Sequence, residues 1–282
     1  MRFSLGCAVY AAILLTAASC VLTLNLSAQE KRITGPYDTL LIAPTFEGPE
    51  GVKDSSALRV VHGYLKETSL GQSASMIVDG QIVIGEPASR EEGDATWTLE
   101  AGGRFRFDIH TSTGSVSTRI DGMSGSLQRE DMNILRIPME TAAAGPLITP
   151  WTMSESLSDP RVSISDGGET VIEGKSLFKV VFRRPVCALS GCPEYLQRLR
   201  LTTDLYFDSH SYLLMKSVDE IRLSETSMAK VLRVITYGEY RQADQSLVAH
   251  QYAETLDGQL SWTFAASRIS LGKPHDQSHF HF

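Results

Sequence analysis

The chain has 282 residues, 42% of them hydrophobic and 21% charged, with 33 acidic against 26 basic side chains and a formal net charge of -7. That is enough apolar material for one large or two ordinary domains, and it excludes a disordered, collagen-like or polytopic membrane chain. The acidic balance, with no run of Lys or Arg, argues against a nucleic-acid partner, which needs a concentrated basic surface.

Met1-Arg2, an apolar run from Phe3 to Leu24 and the polar break Gln29-Glu30-Lys31-Arg32 have the order of a secretory signal over residues 1–28. Ala28 after Ser27 supplies the small residue that signal peptidase needs, so cleavage is expected there. Ala17-Ala18-Ser19-Cys20 is an alternative, a degenerate lipoprotein box in which Cys20 would carry lipid. Against it, the chain stays apolar through Val21, Leu22 and Leu24. Cleavage moves the formal charge to -8, because Arg2 is the only charged residue in the segment. The mature protein is then periplasmic or secreted and is not an integral membrane protein. Residues 29–54, rich in Gly, Pro and acids, read as a flexible leader.

From Asp54 or Ser55, either of which can cap, a helix is expected with Ala57, Leu58, Val61, Tyr64 and Leu65 at the 3.6-residue period. From Gln72 the period becomes two, with turn signals at Asp79-Gly80, Gly102-Gly103, Asp121-Gly122, Gly167-Gly168 and Asp257-Gly258. In Arg104 to His110, Phe105, Phe107 and Ile109 point one way and Arg104, Arg106, Asp108 and His110 the other. The same alternation runs through Trp97 and Leu99, through Leu199, Leu201, Leu205 and Phe207, through Val231, Arg233, Ile235 and Tyr237, and through Leu260, Trp262 and Phe264. Between the two strand-rich halves, Glu130–Ala144 and Leu147–Leu157 are helix-compatible or irregular, broken by Pro138, Gly145-Pro146 and Pro150. They are the candidate cover for the sheet. The expected fold is mainly β (α+β): a curved antiparallel sheet or incomplete β-barrel covered by a few helices, in one domain over residues 55–272. Residues 273–282 read as a flexible tail.

Cys7 and Cys20 lie in the signal, which leaves Cys187 and Cys192 as an exported pair that reads as a local disulfide. No nucleotide, phosphate-loop, zinc-protease or nucleophile-elbow motif is present, so no enzyme, cofactor or metal is expected. Ser124, in Gly122-Met-Ser-Gly125, reads as a turn residue. The carboxylates Asp204, Asp208, Asp219 and Glu220 cluster near residue 210, but with no His, Cys or motif at metal spacing to direct chemistry. His62, His110, His210 and His250 take solvent-facing or hydrogen-bonded roles, and His275, His279 and His281 sit in the tail.

Three stretches carry a family resemblance. Tyr237-Gly-Glu-Tyr-Arg241, Val248 to Gly258 and Trp262-Thr-Phe264, with Ile269, resemble the final strands of the periplasmic lipoprotein-carrier (LolA-like) superfamily. Asp204-Leu-Tyr-Phe-Asp208 with Tyr212 to Lys216 resembles its central hairpin. The resemblance spans about residues 55 to 272. It implies a half-barrel with helices at its mouth and an apolar cavity that shields a lipid or acyl chain. The candidate lining is Phe105, Phe107, Ile109, Leu201, Leu205, Phe207, Ile235, Trp262 and Phe264; the competing reading is that these side chains fill a closed core. The function expected is non-catalytic binding of a lipid or other amphiphile. The alternative is an envelope interaction or sensing module whose partner is a protein.

The protein recovered after export is expected to begin at Gln29. N-terminal sequencing checks this, and a chain starting at a lipidated Cys20 or at Met1 contradicts it.

Overall fold

The computed structural model describes residues 51–68, 73–85, 89–130, 133–187, 192, 198–227 and 229–282. The signal segment and residues 29–50 of the leader lie outside them. After helix α1 (Ser55–Glu67), a meander runs through β1 (Ser75–Ile84), β2 (Glu91–Glu100), β3 (Arg104–Thr111), β4 (Gly114–Asp121), β5 (Ser124–Arg129) and β6 (Leu135–Ile137). Helices α2 (Met139–Ala144) and α3 (Pro150–Ser158) follow. The second meander is β7 (Ser163–Ile172), β8 (Lys175–Pro185), β9 (Arg200–Asp208), β10 (Leu214–Arg222) and β11 (Lys230–Gly238). A small hairpin, β12 (Arg241–Ala243) with β13 (Ser246–Val248), precedes β14 (Gln251–Leu256) and β15 (Gln259–Gly272). The order in the main sheet is β6-β5-β4-β3-β2-β1-β15-β14-β11-β10-β9-β8-β7, antiparallel throughout. One meander therefore runs outward from β1 and the other returns inward from β7, and they join at β1 and β15. The sheet is curved and open, with edges at β6 and β7, as the alternation predicts.

The inner face carries the alternating apolar residues. Trp97 lies at its centre, stacked on Phe264 at 3.8 Å and packed against Phe107, Tyr252 and Trp262 at 5.0–5.4 Å. Ala57, Val60, Val61 and Tyr64 of α1 cover part of it, with Tyr64 edge-on to Phe207. Met153 of α3 is fully buried. Among the described residues, no helix is long and apolar enough to cross a membrane.

Several expectations are corrected. Asp79-Gly80 is no turn: it lies inside β1 at a register shift against β15, and a Cβ on Gly80 would stand 2.2 Å from the Ala265 carbonyl oxygen, so only glycine permits the approach. Gly167-Gly168 is likewise a bulge within β7. The turn that follows is Glu173-Gly174, where both residues have the positive φ that a tight hairpin requires. Pro150 opens α3 instead of breaking it, since the first helical position has no hydrogen bond to lose, and Thr149 caps it by accepting from the Thr152 N–H. Asp54 stands at the N-cap of α1, but its carboxylate accepts from the backbone N–H of Asp166 on β7. Leu199 is exposed and lies before β9.

Both termini of the described domain are less free than expected. Gly51 to Asp54 are held to β7: the Gly51 N–H meets the Ser163 hydroxyl, and Val52 and Asp54 exchange backbone hydrogen bonds with Ile164. These contacts blunt the sheet edge. The tail folds back over the outer face of β3 and β4. Phe280, in the 3-10 turn Gln277–Phe280, is 1% exposed beneath Arg104, and the buried Glu100 accepts from the His275 backbone N–H.

Cys187 and Cys192 form a disulfide beyond the end of β8. Its ring is short and the core lies elsewhere, so replacing both with Ser should lower unfolding stability by about 2 kcal/mol or less and leave the fold intact. Urea unfolding of the double variant checks the size of the effect.

Candidate ligand cleft

The space over the concave face is filled unevenly. Between α1 and the start of α3, Tyr64, Met76, Leu99, Tyr237 and Tyr252 leave only about 30 Å³. Beside α2, in contrast, a cleft of about 910 Å³ opens. One wall is Phe105 with the β2–β3 loop at Gly102-Gly103, the β4–β5 turn at Gly122-Met123 and the start of β5 at Ser124 to Ser126. A second is Ile137 with Met139 and Ala142 to Gly145. The rest comes from Thr152, Glu155 and Ser156 of α3, Val162 and the end of β8 at Arg184, Pro185 and Val186, with the charged side chains of Asp121, Arg136, Asp159 and Glu225 and the exposed Ile134.

The sequence of α2 explains the space. Ala142, Ala143 and Ala144 are too small to fill the gap between sheet and helix. Gly145 then turns the chain at φ 72° so closely over Phe105 that an added Cβ would stand 3.2 Å from the ring. Arg222 fixes the helix from outside the cleft by pairing with Glu140, and the Thr141 hydroxyl donates to the Arg222 carbonyl. The Gly102 N–H donates to Glu155 at 2.7 Å, tying α3 to the rim.

A buried polar layer crosses the inner face of the second meander. Arg233 grips Asp219 through two hydrogen bonds of 2.9 and 2.7 Å. Burial works against the Arg233 charge, yet the Asp219 carboxylate holds the guanidinium protonated. Glu254 accepts from the Ser261 hydroxyl at 2.7 Å, and burial pushes its carboxyl up to about 7 despite Arg233. The Tyr237 hydroxyl accepts from the Ile148 N–H, pairs with Ser217, and is pushed up to about 12 by burial. Arg184, at the cleft wall, donates to the Ala144 carbonyl at 2.8 Å.

Of the nine residues expected to line a cavity, Phe105 does so. Phe107, Ile109, Leu205, Phe207, Ile235, Trp262 and Phe264 pack into the main core, and Leu201 packs into a smaller cluster with Ala144, Val186 and Ile221. These eight fill the interior behind the cleft. The cleft residues passed over by sequence reasoning are Met123, Ile137, Met139, the three alanines and Arg184. Arg184 had a visible signal, because it continues the inward series Phe178, Val180, Phe182.

The clustered carboxylates separate in space. Asp204 pairs with Lys179, Asp219 with Arg233 and Glu220 with Lys230, while Asp208 accepts from the Ser211 and His210 backbone N–H groups. Ser124 starts β5 and is exposed. His62, His110 and His210 are exposed, and His250 hydrogen-bonds the Val248 carbonyl. In the tail His275 and His279 stack, while His281 reaches Asp121.

No family model and no curated protein matches the sequence. Solved structures do match. A LolA superfamily protein from Nitrosomonas europaea superposes with a TM-score of 0.50 at 8% identity, covering 80% of this chain and 97% of that one. A DUF1329 family protein from Desulfovibrio piger gives 0.50 at 7% identity with the same coverage. At such identity what is shared is the fold, and the fold of this chain is LolA-like, as the strand patterns imply.

The raised Glu254 pKa has a stability consequence. A carboxyl titrating near 7 when folded and near 4.5 when unfolded stabilises fully below about 4.5, and that stability is lost as pH rises through 7. Glu254→Gln should therefore gain on the wild type between pH 5 and pH 8, by roughly 3 kcal/mol at about 1.4 kcal/mol per pH unit. Urea unfolding of both proteins at the two pH values measures it.

Proposed function

We propose that the protein is an exported, non-catalytic binding protein for an amphiphile, whose acyl chain lies in the cleft between α2, α3 and the end of the half-barrel. The observation that carries this reading is the 910 Å³ cleft itself, built against a sheet whose remaining interior is packed. Its size falls in the range of ligand pockets, about 300–1,000 Å³. Phe105, Ile137, Val186 and the flexible thioethers of Met123 and Met139 give an adaptable apolar lining. Burying about a dozen methylenes at ~0.8 kcal/mol each supplies roughly 10 kcal/mol before costs, enough for binding without catalytic machinery. The LolA-like fold supports the reading, as does the export signal expected at residues 1–28. The competing reading, a partner-binding envelope module, needs no such cleft.

Ala143→Trp places an indole in the cleft, from a position that already lines it. The variant is expected to fold and to lose at least tenfold in affinity for a fluorescent fatty-acid probe, while the wild type binds the probe and yields lipid on organic extraction. Absence of both extracted lipid and probe binding in the wild type makes the partner-binding module the better account.

A further inference from the structure

Arg184 is half-buried, with its guanidinium open to the cleft rather than sealed in the core. It extends inward from β8 in phase with Phe178, Val180 and Phe182, and it forms part of the cleft wall. Among the described residues its five N–H donors meet one acceptor, the Ala144 carbonyl at the end of α2. Among the described residues no carboxylate forms an ion pair with it. Of the nearby acids, Asp219 gives both oxygens to Arg233, Glu254 accepts from Ser261, and Glu155 accepts the Gly102 N–H through one oxygen only; Asp121, Asp159 and Glu225 also line the cleft. Burial lowers the Arg184 pKa, with Arg233 adding to the effect and Asp219 and Glu155 opposing it. The polar layer thus presents the Arg184 guanidinium to the cleft with a single protein acceptor among the described residues, while Arg136 lines the cleft from the β6 side.

Resting on the cleft reading above, we infer that Arg184 is the anchor for an acidic oxygen group, a carboxylate or a phosphate, on the amphiphile that the cleft takes. The planar fork matches either group through paired hydrogen bonds, and such charge-assisted bonds are about twice as strong as neutral ones. The acyl chain then runs from Arg184 along Ala143, Met139 and Phe105. The alternative role is local: Arg184 only caps the C-terminus of α2.

The test compares palmitate, hexadecyl phosphate, hexadecanol and inorganic phosphate on the wild-type protein, by displacement of a fluorescent hydrophobic probe at neutral pH. Palmitate and hexadecyl phosphate are expected to bind at least tenfold more tightly than hexadecanol, and inorganic phosphate far more weakly than hexadecyl phosphate. In Arg184→Met the preference for acid over alcohol should vanish while hexadecanol affinity is retained; Arg184→Lys should keep part of the preference. The wild-type comparison stands even if a variant fails to fold. Equal binding of palmitate and hexadecanol overturns the anchor and leaves the cleft reading intact, as does a parallel loss of both in a folded Arg184→Met. Inorganic phosphate binding as tightly as hexadecyl phosphate overturns the amphiphile in favour of a free anion. No binding by any of the alkyl ligands overturns the cleft reading itself.

Discussion

The fold depends on the antiparallel seam between β1 and β15, which pairs Ser75 with Gly272 and Ile84 with Trp262 from opposite ends of the domain. Without it the chain would be two independent meanders, each with an apolar face too large for its own helices to cover. Pairing so distant in sequence carries a loop-closure cost and must be repaid by dense packing. The Trp97 aromatic cluster straddles the seam, stacking β2 on β15 and reaching β14 through Tyr252. Gly80 lets the two backbones approach closely enough for that contact.

The same topology creates the cleft. Once the first meander ends at β6, the chain has to reach the opposite edge of the sheet at β7, and α2 and α3 make that passage over the concave face. Helix α3 anchors through Met153 and the Thr149 cap. Helix α2 is short, alanine-rich and held from outside by Arg222, so it spans the sheet without filling the space beneath it. The polar layer on β8, β10, β11 and β14 places charge beside this space. Its Asp219–Arg233 pair is self-satisfied, and Arg184 is the member that faces outward into the cleft.

Much of the architecture was legible because strand alternation survives wherever one face is buried. Phe105, Phe107 and Ile109 point inward as their spacing requires, and the Gly102-Gly103, Asp121-Gly122 and Asp257-Gly258 turns lie where hairpins need residues at positive φ. What misled was glycine serving a second purpose. Asp79-Gly80 and Gly167-Gly168 have turn chemistry but sit at bulges, which only the partner strand's register reveals. The tail's order was hidden because its anchor, Phe280, is a single residue whose pocket is assembled from β3 and β4. The cleft was harder still, because it is defined by what α2 lacks. Large apolar residues announce a core, and that is where eight of the nine expected lining residues went; three alanines beside a glycine announce nothing until the opposing wall is known. Arg184, charged and in phase with the apolar Phe178, Val180 and Phe182, was the overlooked signal, since an inward position costs a cation part of its hydration unless something meets it.

The central claim is that an acyl chain occupies the cleft beside α2 and leaves the aromatic core behind it undisturbed. The most direct measurement is backbone amide chemical-shift mapping by NMR during titration with palmitate. The account predicts saturable shifts confined to the cleft walls, at Phe105, Gly125, Ile137, Ala142 to Gly145 and Val186, with the amides of Trp97, Tyr252 and Phe264 unmoved. Shifts centred on Trp97 and Phe264 would place the ligand in the sheet core, and unchanged spectra at saturating palmitate would contradict acyl-chain binding altogether.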